Sequence, residues 1–266
     1  MTARYTHGYG AAVLDSHRAR TAANSAAHLL PHLEPGMRLL DVGSGAGTIT
    51  ADLARFVGPA RCTALEVSEH AAALTRAELD RQGLAEVTVL VGDAQALDLP
   101  DDAVDVVHAH QVLQHLPHPV AALAEFRRVC RPGGLVAVRD SDYAGFRWFP
   151  EEPAWDRWLD LYQQAAAANS GHPDAGRRLL AWAHAAGFEN VEATSSTWCH
   201  ATPPAREAWA ATWAGRLREG PFGEQLRGTG WAEAEEVEGL AAAVTAWAAD
   251  PDGWFSVLHG EIVARA

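Results

Sequence analysis

Leu39-Leu40-Asp41-Val42-Gly43-Ser44-Gly45-Ala46-Gly47-Thr48 carries an apolar run into three alternate glycines, and an amphipathic segment follows. That order reads as a strand, a tight loop and a helix, which brings backbone N–H groups and a helix N-terminus to a nucleotide. Glycine at 43, 45 and 47 lets the backbone turn sharply and approach a ligand where a Cβ would collide. The spacing is G-x-G-x-G. A dinucleotide-binding loop places its third glycine one residue later, so this version argues against a bound pyrophosphate.

Outward from this loop the chain alternates. Strands are predicted at 37–42, 61–67, 86–91, 103–109 and 134–140, and helices at 47–57, 69–82 and 119–130. Helix 119–130 is bounded by Pro119 in its first turn, by Arg127, Arg128 and Arg131 at its negative end, and by the stop Pro132-Gly133-Gly134. Alternating β and α units imply an α/β fold with a doubly wound, mostly parallel sheet. Ahead of it, Val13, Leu14, Ala22, Ala26 and Leu30 fall at helical spacing, which predicts one or two helices over 11–33 and an N-terminal helical cap over 1–36. The binding core then spans 37–143.

Beyond residue 143 the texture changes. All ten tryptophans lie between Trp148 and Trp254. Helices are predicted at 153–169 and 175–186, and strands at 188–199 and over the apolar end from Trp254 to Val263. Segment 144–266 therefore completes a seven-stranded sheet, with helical insertions at 144–174 and 201–250 covering the carboxyl ends of the strands.

Composition excludes several chemistries. A net charge of −13 over 266 residues disfavours a nucleic-acid partner. The 21 basic residues are all arginine, so Schiff-base chemistry and a Walker lysine are excluded. Cys62, Cys130 and Cys199 are far apart and form no C-x-x-C, which fits a reduced cytoplasmic compartment and no structural zinc. No apolar leader opens the chain and no 18-residue apolar stretch follows, so neither a signal peptide nor a membrane span is expected. A monomer or homodimer acting on a small molecule remains.

Glu66 ends the second strand, nineteen residues past Gly47, where a carboxylate can accept hydrogen bonds from both hydroxyls of a bound ribose. His110 and His115 follow the fourth strand, in the crevice where ligands of open α/β sheets bind, and either is a candidate general base with an ordinary pKa near ~6.5. Asp140, Asp142 and Tyr143 leave the fifth strand at the same edge and are the other acid/base or orienting candidates. The His110-x₄-His115 pair with His118 matches no recognised ligand spacing, so no metal is assigned.

The glycine loop with Asp41 resembles motif I of class I S-adenosylmethionine (SAM)-dependent methyltransferases. Asp105 to Pro117, read as D-V-V-x-A-x-x-V-L-x-H-L-P, closely resembles the same stretch of the ubiquinone/menaquinone-type members, and Arg131-Pro132-Gly133-Gly134 sits where they begin their fifth strand. The likeness covers roughly residues 37–140, about 40% of the chain. Ser44 stands where the family often has cysteine. The resemblance implies a Rossmann-like methyltransferase fold and SAM as cofactor, with S-adenosylhomocysteine (SAH) as product. It implies adenine contacts from Asp93 and Ala94, in Gly92-Asp93-Ala94 at the end of the third strand. Asp41 becomes a candidate for the methionine amine, and the N–H groups of the Gly43-Ser44-Gly45 turn, or Arg20, for the carboxylate. Val67, His110 and Gln111 are counted with the cofactor contacts. Tyr5 and Tyr9 are candidates for a lid, since a sulfonium favours aromatic faces.

The expected activity is methyl transfer to an oxygen, nitrogen or carbon of a small metabolite, aromatic or apolar if the tryptophan-rich helices roof the site. A SAM-binding regulator or assembly protein without turnover is the alternative from another class. An NAD-dependent oxidoreductase is the lesser one, because neither its glycine spacing nor a Tyr/Lys hydride-transfer pair is present.

Overall fold

A computed structural model describes residues 19–266. In chain order it forms α1 (Ala22–Ser25), β1 (Leu39–Val42), α2 (Thr48–Val57), β2 (Cys62–Glu66), α3 (Glu69–Arg81), β3 (Thr88–Val91), β4 (Val104–His110), α4 (Pro119–Val129), β5 (Cys130–Ser141) and β6 (Arg147–Phe149). It continues with α5 (Pro153–Ala168), α6 (Leu179–Ala185), β7 (Asn190–His200), α7 (Pro203–Arg218), α8 (Pro221–Thr229), α9 (Ala234–Ala249) and β8 (Trp254–Arg265).

The strands lie in the order β3-β2-β1-β4-β5-β8, with β7 on the far edge of β8. From β3 to β5 all pairings are parallel, and β8 runs antiparallel to its neighbours. The chain winds outward from β1 in both directions, so a crevice opens at the carboxyl ends of β1 and β4, where open α/β sheets bind ligands. All four residues of β1 are buried, as expected of a central parallel strand covered on both faces. One core cluster gathers Leu40, Val107, Val138 and Phe126, and another gathers Leu39, Val106, Ala137 and Leu53. Those residues alternate along the strands, so the two clusters occupy opposite faces of the sheet.

Four local readings are corrected. The sheet has eight strands, because the three-residue β6 pairs with the start of β8. The ladder of β5 begins at Cys130, directly after α4, and its register shifts across the proline-glycine turn before resuming at Leu135. The helix expected over 175–186 divides into a 3₁₀ turn at Gly176–Arg178 and the shorter α6. Of the helices expected over 11–33, the described residues contain α1, capped by the Thr21 hydroxyl, and a 3₁₀ turn at Leu30–His32.

The C-terminal helices enclose a third core. Trp155, Trp158 and Trp213 are fully buried, with Trp158 and Trp213 edge to face at 4.4 Å and Trp155 against Phe255 at 4.8 Å. Helices α7 and α9 pack side by side around these rings, and Tyr143 and Phe146 join them. Among the described residues no helix is long and apolar enough to cross a membrane.

Candidate functional site

A cavity opens where the crevice is expected. Its walls include Gly43, Ser44 and Gly45 of the loop after β1, Glu66 and Val67 at the end of β2, Asp93 and Ala94 after β3, and His110, Gln111 and His115 at and beyond the end of β4. Leu65, Leu74 and Leu116 supply apolar wall, and Arg20 closes one side.

The loop is held in an unusual conformation. Gly43 has φ +71°, and a Cβ there would stand 2.4 Å from Cγ2 of Val112. At Gly47, φ +81°, a Cβ would meet the carbonyl oxygen of Thr75 at 3.1 Å, so α3 packs against bare backbone. The Thr75 hydroxyl donates to the Gly45 carbonyl at 2.9 Å and tethers the loop from that side. From β2, the Glu66 carboxylate accepts from the amides of Gly45 and Val67. Burial pushes the Glu66 carboxyl above its usual range, and these donors oppose the shift. Asp93 is exposed and accepts from the Gln95 amide at 2.8 Å.

At the end of β4 the backbone makes a second sharp departure. Gln111 takes φ +55°, rare for a residue with a side chain, and its amide reaches Ser141 Oγ and His259 Nε2, each at 2.9 Å. His110 is 6% exposed and lies 5.5 Å from Trp198 and 6.0 Å from His259, centroid to centroid. Neither of its ring nitrogens has a hydrogen-bond partner. Burial, with Arg139 and Arg20 nearby, holds the His110 imidazole well below 6.5. His115 is pushed down to about 3 by burial, Arg216 and Arg20. Both rings are therefore neutral at pH 7. This corrects the ordinary pKa expected from sequence: each ring can accept a hydrogen bond, but its conjugate acid is much stronger than that of a free imidazole.

The other catalytic candidates stand away from the cavity. Asp142 is clamped by Arg177, with bonds of 2.6 and 2.5 Å from the guanidinium. Tyr143 is stacked between Tyr162 at 4.1 Å and Phe146 at 4.5 Å in the tryptophan core. Asp140 is wholly buried, accepts from the Gln114 amide at 3.2 Å, and is pushed up to about 7 by burial. Asp41 also lies behind the wall: Thr50 Oγ1 is 2.5 Å from one carboxylate oxygen and His108 Nδ1 is 2.7 Å from the other. Tyr5 and Tyr9 fall outside the described residues. Among the described residues no tryptophan lines the cavity, so the expected aromatic roof is replaced by indoles packed on one another.

Three groups escaped the sequence reading. Arg139 donates to Glu261 at 3.0 Å, with His259 Nδ1 also at 3.0 Å. Trp198 covers Arg139 at 4.9 Å and donates to the Asn24 carbonyl at 2.7 Å. Arg216, on α7 with its guanidinium 4.5 Å from the Trp213 ring centroid, adds positive charge that helps hold His115 down. They come from distant segments, and the alternation of β7 and β8 was the one available signal for which residues face this side of the sheet.

Comparison with known proteins identifies the family. Residues 40–138 match the methyltransferase domain family. An uncharacterized methyltransferase of Schizosaccharomyces pombe is 32% identical over 98% of this chain and 96% of its own length. The chain belongs to the class I SAM-dependent methyltransferases. The ubiquinone/menaquinone biosynthesis C-methyltransferase of Cupriavidus necator is 31% identical over 60% of this chain and 70% of its own. Among solved structures, a phosphoethanolamine N-methyltransferase of Haemonchus contortus, in complex with SAH, superposes with a TM-score of 0.58 at 17% identity, covering 96% of this chain and 56% of that one. That likeness shows the shared fold. SAM is the cofactor of this methyltransferase, and the cavity suits it: bare glycine backbone stands where a Cβ would strike Val112, and a buried carboxylate lies at the cavity edge.

Proposed function

We propose that this methyltransferase transfers the methyl group of SAM to an oxygen, nitrogen or carbon atom of a small metabolite in the cytoplasm. The observation that carries the reading is the joining, in one cavity, of the Glu66-braced glycine loop with His110, whose buried ring nitrogens are both without partners. Glu66 receives the ribose hydroxyls, Asp93 and the Ala94 amide meet the adenine edge, and the Ser44 amide together with Arg20 faces the methionine carboxylate. Asp41 acts from behind, fixing β1, β4 and α2 through His108 and Thr50.

When bound, SAM supplies a methyl group already activated on a sulfonium. The protein's share is then orientation and exclusion of water. His110, neutral and desolvated, accepts a hydrogen bond from an acceptor O–H or N–H at one of its partnerless ring nitrogens, and the Gln111 carboxamide, held by Ser141 and His259, fixes the wall beside it.

Calorimetry with SAM, SAH and NAD on the wild type and Glu66→Ala tests this. Binding of both SAM species, lost in the variant and absent for NAD, is expected. Failure of SAM and SAH to bind the wild type sinks the reading. Binding without methyl release from any acceptor in a broad metabolite screen would favour a SAM-binding regulator.

A further inference from the structure

Gln111 follows β4 on a backbone with φ +55°, anchored by its own N–H, which donates to the Arg139 carbonyl at 2.7 Å. One end of its carboxamide lies 2.9 Å from Ser141 Oγ and 2.9 Å from His259 Nε2. His259 decides which end that is. On its other side, His259 Nδ1 stands 3.0 Å from Nη2 of Arg139, whose Nε is held by Glu261 at 3.0 Å. A guanidinium donates and cannot accept, so Nδ1 is the bare nitrogen of the ring and the one ring proton is on Nε2. Burial and the Arg139 charge, which hold this imidazole well below 6.5, agree with a neutral ring.

His259 therefore points an N–H at Gln111. With the carboxamide nitrogen in that place, N–H would face N–H. Turned by half a rotation, the group puts its oxygen there and accepts from His259 and from the Ser141 hydroxyl, one for each lone pair, and such partners are what assign the two ends of a carboxamide. The NH2 is then the other end. That end has no hydrogen-bond partner among the described residues and is not sealed in the core, and Gln111 is half-buried in the cavity wall, so two N–H donors open on the cavity.

The strand order places these donors away from the cofactor candidates. Glu66 and Asp93 stand at the ends of β2 and β3, whereas Ser141 and His259 belong to β5 and β8, on the far side of β1 and β4. His110, whose ring nitrogens are without partners, adjoins Gln111 in the same wall. We propose that the Gln111 NH2, oriented by His259 and Arg139, donates to a carbonyl oxygen of the acceptor, so that the metabolite methylated here carries a carbonyl near the O–H or N–H that His110 takes. The assignment rests on the methyl-transfer reading for the word acceptor; the orientation of Gln111 does not. An amide donor reads an oxygen lone pair without supplying charge, which suits a neutral carbonyl. Arg139 and His259, buried behind the wall, are positioning residues.

Two measurements test this. Long-range proton–nitrogen correlation spectra, with the His259 signals assigned by their loss in His259→Asn, should show Nδ1 bare and Nε2 protonated; a proton on Nδ1 overturns the proposal. The binding probes are meta-hydroxyacetophenone and meta-isopropenylphenol, which differ only in C=O against C=CH2, titrated calorimetrically into the SAH-loaded protein. The ketone is expected to bind roughly five- to tenfold more tightly. Gln111→Glu keeps an oxygen for Ser141 and His259 but replaces the NH2 by a second oxygen, and should erase or reverse that preference while SAH affinity stays within about twofold. Gln111→Met erases it without adding charge, and answers the same question if the glutamate variant does not fold. The proposal is overturned if the wild type shows no preference, including when neither probe binds, or if the preference survives in either variant. It is equally overturned if the variants weaken SAH as much as they weaken the ketone, which assigns Gln111 to the cofactor. If SAM and SAH fail to bind at all, the methyltransferase reading falls, and the spectra with the same comparison on the unloaded protein still decide Gln111.

Discussion

The Glu66 carboxylate, at the end of β2, accepts a hydrogen bond from the backbone amide of Gly45 in the loop that follows β1. Two strand ends are thereby tied across the mouth of the cavity, and the acid that reads as a ribose ligand also braces the loop. Burial pushes the Glu66 carboxyl above its usual range, and the Gly45 and Val67 amides oppose that shift. Glu66→Gln keeps the shape but loses charge-assisted bonds, each contributing about 1.5–3 kcal/mol. SAM affinity measured by calorimetry should fall roughly ten- to a hundredfold. An unchanged dissociation constant would remove Glu66 from the cofactor contacts.

Gly43 offers a steric test of the same loop. A methyl group there meets Val112 Cγ2 at 2.4 Å on a backbone with φ +71°. Gly43→Ala should lower stability by about 1–3 kcal/mol in chemical unfolding, through overpacking and left-handed strain together. Adding Val112→Ala removes the clash and leaves the strain, so the double variant should recover part of the loss. Simple additivity of the two substitutions would show that the contact is not what forbids a side chain at position 43.

Burial of Asp140 makes stability depend on pH in a direction that can be derived. Its pKa is raised from 3.8 to about 7 in the folded protein, so between those values the native state holds a proton that the unfolded chain has released. Its contribution is full below about pH 4 and is lost as pH rises toward 7. His110 and His115, both lowered, act oppositely and withdraw stability as pH falls below 6.5. Comparing Asp140→Asn with the wild type isolates the carboxyl. The melting temperature of the variant relative to wild type should climb between pH 4 and 7 and stay level below. A difference independent of pH would mean that Asp140 titrates normally.

What the sequence disclosed was whatever is local. Alternate glycines after an apolar strand specify a tight turn whatever the rest of the chain does, and β1, α2 and β2 lie within about a residue or two of their expected bounds. The outward winding also follows from local alternation of strand and helix. Side-chain direction at the strand ends was not legible. Asp41 is two residues from Gly43, yet its strand position aims it at Thr50 and His108 behind the wall. Asp142 leaves β5 at the right edge, but Arg177, thirty-five residues later, takes its carboxylate. Arg216 is remote from His115 in sequence, and no spacing rule links an arginine on α7 to the end of β4. Tryptophan content showed that the C-terminal helices bury aromatic surface, but not whether they bury it against a ligand or against each other.

The tryptophan core separates those alternatives by experiment. Trp158 is wholly buried against Trp213 and Trp155, edge to face at 4.4 and 5.2 Å, and is not part of the cavity wall. Truncation to alanine leaves a large void and should destabilise the protein by about 3–5 kcal/mol in denaturant unfolding. The remaining folded molecules keep the glycine loop and Glu66 intact, so SAH affinity below the transition should stay within about twofold, since well-separated sites act independently. A Trp158→Ala protein that melts like the wild type but loses SAH would reverse the assignment and return the indoles to the site. A protein that loses stability and keeps SAH would show that the C-terminal helices carry their own core.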